Sequence, residues 1–340
     1  MGIRLADCYN TAQFRRLAKA RLPGPIFHYI DGAADDEVTY RRNTEAFETC
    51  DLVPNVLAGV EKVDLSTTVM GIPMDMPLFL SPTALQRLFH HDGERAVGRA
   101  AEAFNTLFGI SSLATVGIEE IAQTIRTPKI FQLYYHKDKA LTWGMIDRCR
   151  EAGFDALALT VDTIVGGNRE RDLWTGFTSP PTLTPSSLLS FATHPRWTMN
   201  YLLREPFELS NLKEHIPEGS NVSISVSDYF STMLDQSMDW DAAAQVRERW
   251  GKAFCLKGIM SVADARRAGD AARLATAMRK AVVLPGAATR AATLGALALG
   301  GPVLGLFGPE FGAGAGVLVL LLAAQAVRAI AGPSVTMLTL

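Results

Sequence analysis

Five short apolar runs, each stopping on polar residues, constrain this chain more than any other feature. They are MPLFLSPTA (within 75–84), NTLFGISSLA (105–114), KIFQLYY (129–135), ALALTVD (156–162) and AFCLKGI (253–259). Continuous apolar runs of this length suit strands buried on both faces. The stretches between them, GERAVGRAAEAFN, GIEEIAQTI and DKALTWGMIDRCREAGF, carry helical spacing. Parallel neighbours need a crossover, and a helix in that crossover covers the sheet, so the alternation predicts an α/β fold with a parallel sheet. Ahead of it the chain reads as helical. TAQFRRLAKARL stops at Pro23, and DDEVTYRRNTEAFE opens on acids that suit a helix amino terminus.

Two regions break the rhythm. Between the fourth and fifth runs, about 170–252 forms a long excursion with interleaved aromatics and aliphatics such as Trp174, Leu188, Leu189, Trp197, Leu202 and Leu203. Excursions of this length are uncommon in compact domains. A helical subdomain packed on the sheet and a membrane-facing segment both fit it. Beyond 268 the alternation stops. Residues 281–340 hold only three charges, Arg290, Glu310 and Arg328, leaving uncharged stretches of 19 and 17 residues between them. These approach the ~20 residues that span a bilayer, and the reading is a hydrophobic helical tail over 269–340, transmembrane or wrapped on the sheet. The domain division is therefore 1–268 and 269–340.

A net charge of -2 gives no reason to expect nucleic-acid binding. The four cysteines have no CxxC spacing and no histidine cluster beside them, so reduced thiols of a cytoplasmic protein are expected, with no metal site. The amino-terminal segment lacks the apolar core of a secretory signal.

The polar ends of the five runs are Ser81-Pro82-Thr83, Ser111-Ser112, Gln132 with Tyr134, Thr160 with Asp162, and Lys257. Ligands of a parallel barrel sit at the carboxyl ends of its strands, so five polar ends in register predict one shared site. The same residues carry a resemblance. HYIDGAADDE, SPTALQ, SSLATV, FQLYY, LTVDT followed by GGNRERD, and LKGI resemble, in order and spacing, the FMN-dependent L-2-hydroxyacid dehydrogenases over residues ~7–267. FATHPRW is most similar to the membrane-associated bacterial L-lactate dehydrogenases.

The resemblance implies an incomplete (β/α)8 barrel of about five of the eight strands, FMN as cofactor, and oxidation of an L-lactate-like hydroxyacid to the 2-oxoacid. It further implies a quinone or the respiratory chain as electron acceptor, contact with the inner membrane and a homo-oligomer. By position, Tyr29, Tyr134 and Arg169 would meet the substrate. Pro82, Thr83 and Ala84 would line the flavin through their backbone. Ser111, Gln132 and Thr160 would hydrogen-bond its ring edge, and Lys257 would stabilise charge on the reduced ring. Asp162 would orient a catalytic histidine.

Here the chain departs from the family. The expected Ser-Asn-His-Gly-Gly-Arg segment, carrying the catalytic base and a carboxylate clamp, does not follow LKGI, and neither do the phosphate-holding Asp-Gly-Gly and Gly-Arg turns. The six histidines, His28, His90, His91, His136, His194 and His215, all precede the fifth run. The tail, with LGLFGPEF and IAGPSVTMLTL, is similar instead to a fragment of a membrane flippase. A catalytically dead fusion fragment and a membrane-anchored remnant are the alternatives to a working flavoenzyme.

Overall fold

The computed structural model describes residues 4–163, 166–177, 184–213 and 232–268, together with Leu294 and Ala298. The tail expected over 269–340 lies outside these apart from those two positions. The chain divides into two compact units, Met1–Val38 with Ala58–Lys257, and Thr39–Leu57 with Gly258–Leu340.

The first unit opens with α1 (Thr11–Arg21) and α2 (Gly24–Asp31). Asn10 caps α1 by accepting from the Gln13 N–H at 2.9 Å, and Pro23 ends it, since the residue before a proline is pushed out of the α region. Helix α3 (Val38–Glu48) belongs almost wholly to the second unit. A hairpin that the apolar runs did not announce follows, β1 (Thr67–Val69) and β2 (Ile72–Met74), paired antiparallel. Its two-residue turn, Met70-Gly71, has φ of 52° and 81°, the doubly positive geometry that matches strand twist in tight hairpins.

The expected first strand within 75–84 is not a strand. It reduces to one parallel bridge, Leu80 to Phe108, with Leu80 N–H on Leu107 O at 3.0 Å and Gly109 N–H on Leu80 O at 2.7 Å. Pro77 and Pro82 flank Leu80 and remove the donors that a longer ladder needs. Helices α4 (Gln86–Phe89) and α5 (Gly93–Ala103) lead into β3 (Phe108–Ser111), then come α6 (Ile118–Thr124), β4 (Lys129–Leu133), α7 (Lys139–Glu151) and β5 (Ala156–Thr160). The excursion contributes α8 (Glu170–Thr175), α9 (Pro185–Thr193), α10 (Pro195–Leu203) and α11 (Trp240–Trp250) before β6 (Ala253–Lys257). Helix α12 (Val262–Ala268) lies in the second unit, where the Asp264 N–H donates to Ser261 Oγ at 3.0 Å.

Strands β3 to β6 form one parallel sheet in chain order. With helices between successive strands, this is an α/β sheet of the (β/α)-barrel type carrying part of the barrel's strands. Period-two alternation splits its residues. Phe108, Ile110, Phe131, Leu133, Leu157 and Leu159 pack into the main core with Ile121, Met145, Ile146 and Trp250 of the covering helices. Each fully buried side chain of this kind contributes roughly 1.5–3 kcal/mol. On the other face Leu107, Ile130, Ala156 and Ala158 pack with Ile72 and Met74 of the hairpin. The hairpin thus covers the amino-terminal end of the inner face and leaves the carboxyl end to polar residues.

Among the described residues no helix is long and apolar enough to cross a membrane. The excursion packs partly on the unit: the Trp197 Nε1–H donates to Leu88 O at 2.8 Å and the Gly24 N–H to Ser190 Oγ at 2.8 Å. It also leaves Trp174, Leu188, Leu189, Leu202 and Leu203 exposed.

Candidate active site

At the carboxyl end of the inner face, register aligns the polar residues. Ser111 stands opposite Gln132, Gln132 opposite Ala158, and Thr160 opposite Lys257. Ser111 Oγ–H donates to Gln132 Oε1 at 2.9 Å, and Gln132 Nε2–H donates to Thr160 Oγ1 at 2.7 Å. All three are buried, and their mutual bonds meet the cost of burying polar groups. Lys257, beside Thr160, is exposed. Among the described residues, one Gln132 N–H, the Thr160 hydroxyl proton and the Lys257 ammonium remain as donors. That set suits an electron-rich ring edge.

The segment expected to line a flavin comes close to β3 because of Gly109. A Cβ there would meet Pro82 N at 2.6 Å and Pro82 Cδ at 2.7 Å, so no other residue permits this approach without a backbone shift. The Gln86 Nε2–H donates to Thr83 O at 3.1 Å, and the Leu85 N–H to Leu113 O at 3.1 Å, tying Pro82-Thr83-Ala84 to the turn after β3. Beneath it lies Glu94, fully buried in α5. It accepts from the Thr115 hydroxyl at 2.6 Å, the Thr115 N–H at 2.9 Å and the Gln86 N–H at 3.4 Å. Burial raises its pKa above 4.5, against the lowering effect of these bonds.

HYIDGAADDE and GGNRERD dock on each other. Arg171 binds Asp31 at 3.0 Å and also Glu37. Asn168 Nδ2–H donates to Asp35 Oδ1 at 3.0 Å, and the Asp35 N–H to Asn168 O at 2.9 Å. Arg169 donates to Tyr29 O and, at 2.7 Å, to Asp172, and its guanidinium sits 5.1 Å from the Tyr29 ring centroid. Tyr29 packs between Phe89 and Phe177. Burial pushes the Tyr29 hydroxyl well above its usual pKa, partly offset by Arg169. Burial also raises Asp172, against Arg169. Tyr134 is pushed up to about 12, by burial first and then by the charge of Asp162. Asp162 itself is exposed and accepts no hydrogen bond among the described residues.

The structure thus brings Ser111, Gln132, Thr160 and Lys257 together on one face, with Pro82, Thr83 and Ala84 tied beside β3. It pairs Tyr29 with Arg169, and leaves Asp162 exposed and without a hydrogen bond to Tyr134 among the described residues. Sequence reasoning missed Gly109, Glu94 and Arg171. For Glu94 a signal existed: it shares a helical face with Gly98 and Ala101, both buried, and a charge on a buried stripe demands a partner. Among the described residues no group of His, Cys, Asp and Glu could hold a metal.

Residues 18–274 match the model of the FMN-dependent dehydrogenase family. The chain is 35% identical over 268 residues to a putative L-lactate dehydrogenase of Mycobacterium tuberculosis, covering 78% of this chain and 63% of that one. It is 34% identical over 264 residues to glycolate oxidase 1 of Oryza sativa subsp. indica, covering 78% and 66%. Among solved structures, a monotopic membrane protein, (S)-mandelate dehydrogenase, superposes with a TM-score of 0.69 at 28% identity, covering 77% of this chain and 69% of that one. The chain spans about two thirds of the length of these curated relatives.

Proposed function

Because the chain belongs to the FMN-dependent dehydrogenase family, whose cofactor is FMN, we propose that it is built for oxidation of an L-2-hydroxyacid of the L-lactate type to the 2-oxoacid. The observation that carries this reading is the buried Ser111–Gln132–Thr160 ladder with Lys257 in register beside it. Bound there, FMN would supply the two-electron acceptor. Gln132, Thr160 and Lys257 would donate to its ring edge, and Lys257 would offset the negative charge that reduction places there. Pro82, Thr83 and Ala84 would form the wall along the ring.

Tyr29, Tyr134 and Arg169 would receive the substrate. Tyrosine hydroxyls hold their protons at neutral pH, and burial raises both of these further, so each would donate a hydrogen bond to a carboxylate. Arg169 would add charge from a guanidinium held by Asp172 and the Tyr29 carbonyl. Asp162 would steady a histidine, yet every histidine of this chain precedes β6. The proton-abstracting step therefore lacks its family base among these 340 residues. The acceptor we assign is a quinone of the respiratory chain, with a homo-oligomer seated against the inner membrane. Exposed Trp174, Leu188, Leu189, Leu202 and Leu203 support that contact.

Titration of the chain with FMN and with riboflavin, read by flavin fluorescence, tests the ring site. The expected outcome is that both bind with affinities within about threefold, since the ring contacts are here and the phosphate turns are not. If neither flavin binds at about 100 µM, the reading fails.

A further inference from the structure

A concavity with a volume of about 1000 Å³ opens among the end of α1, the segment after α4, and helices α9 and α10. Its lining is cationic. Arg21, Arg196 and Arg204 line it, exposed, and form no ion pair or hydrogen bond among the described residues. His90, His91 and His194 stand beside them. The acid in the lining, Glu205, is already neutralised, with its carboxylate on Arg95 at 3.0 Å and Arg87 at 3.5 Å. Arg87 in turn donates to Glu205 O at 2.7 Å and Pro206 O at 3.2 Å, which fixes the wall from behind. An oxyanion entering the cavity would meet three arginines whose charge no described carboxylate neutralises.

The lining also carries the aromatic side chains Phe89, Trp197, Tyr201 and Phe207. Trp197 and Tyr201 stack with centroids 5.0 Å apart at 12°, and the Trp197 indole is held by its bond to Leu88 O. Phe89 lines the cavity as well, and its ring stacks with Tyr29 at 6.3 Å. A monocarboxylate offers two oxygens, too few for three forks. A phosphate ester offers more acceptors and a second charge, and a space of this size holds a molecule well beyond inorganic phosphate.

We propose that this cavity binds an organic phosphate ester, its oxyanion taken by Arg21, Arg196 and Arg204 and its apolar portion packed against the aromatic side chains of Phe89, Trp197 and Tyr201. The site is separate from the Gln132 ladder and does not depend on the flavin reading. Its ligand is either a soluble phosphate ester or the headgroup of an anionic phospholipid, which share this chemistry.

Calorimetric titration of the full chain with phenyl phosphate, with inorganic phosphate as the reference, tests it. Phenyl phosphate is expected to bind in the millimolar range or tighter, and inorganic phosphate about tenfold weaker. The R196Q/R204Q double variant, altered only at exposed side chains, is expected to lose at least about tenfold in phenyl phosphate affinity with unchanged circular dichroism. Phosphatidylglycerol vesicles identify the source. If phenyl phosphate displaces the chain from them, the cavity takes a lipid headgroup. If phenyl phosphate binds while vesicles are ignored, the ligand is soluble; either result supports the site. No binding of phenyl phosphate at about 10 mM, or binding that R196Q/R204Q leaves unchanged, overturns it.

Discussion

Replacing Glu94 by alanine tests how the flavin-lining segment is held. The substitution strips two close donors of their acceptor, the Thr115 hydroxyl at 2.6 Å and the Thr115 N–H at 2.9 Å, and a weaker third, the Gln86 N–H at 3.4 Å. A buried donor left unpaired costs about 1–3 kcal/mol, so E94A loses about 2–6 kcal/mol, a large share of a typical stability of about 5–15 kcal/mol. E94Q keeps one carbonyl oxygen for the N–H groups and turns its amide on the Thr115 oxygen, so it loses about 1 kcal/mol. Both variants also lose the native chain's pH response at this position, since neither side chain titrates. Burial raises the Glu94 pKa above 4.5, so the native chain keeps a proton that the unfolded chain releases. The Glu94 contribution is complete below 4.5, falls as pH rises through the native value and is flat beyond it. The E94Q penalty therefore shrinks as pH rises through that window. Urea unfolding followed by tryptophan fluorescence, from acidic to neutral pH, measures all three quantities. An E94A cost under about 1 kcal/mol, an E94Q cost equal to it, or a penalty that grows with pH would refute the reasoning.

Three further outcomes are expected. Q132L should weaken FMN and riboflavin binding alike, by about tenfold, by removing the ladder's centre; a variant that binds both as well as the parent places the ring elsewhere. Purified chain mixed with L-lactate under anaerobic conditions should reduce bound flavin slowly, because absence of a general base typically costs about 10²–10⁴-fold; stoichiometric bleaching within seconds would reveal another base. R171M should speed amide exchange over Gly24–Asp31 by about tenfold at neutral pH. The Asp31 pKa is lowered first by its bond to Arg15 and also by Arg171, so this anchoring is present above the ordinary carboxylate value and lost as pH falls below it. Unchanged exchange at neutral pH would show that Asn168 and Arg169 suffice.

The parts legible in sequence are those where local pattern and tertiary role coincide. Buried runs ending in Ser111, Gln132, Thr160 and Lys257 predicted β3 to β6, because period-two alternation places those residues on one face wherever the strands pair. The run ending at Pro82 misled, since its apolar content is strand-like while Pro77 and Pro82 deny it a ladder. The hairpin at Thr67–Met74 escaped because three-residue strands carry too little periodicity; its best signal was Gly71. Arg171 was hidden for a different reason. Its partners Asp31 and Glu37 lie more than 130 residues away in sequence, and no local pattern encodes a pairing at that distance.

The excursion before β6 has a kinetic consequence. Between Leu133 and Ala156 the chain runs 22 residues, and between Thr160 and Ala253 it runs 92. Loop closure costs (3/2)RT ln n, so docking β6 costs about 1.3 kcal/mol more than docking β5. Its strand is also only half-buried, whereas β3, β4 and β5 are buried throughout. β6 should be the late arrival, joining a ribbon of β3, β4 and β5 already formed, and its amides should exchange before theirs. Lys257 rides on that strand. The charge expected to greet a reduced ring is thus brought in last, and the polar ladder is assembled and idle until the excursion has folded.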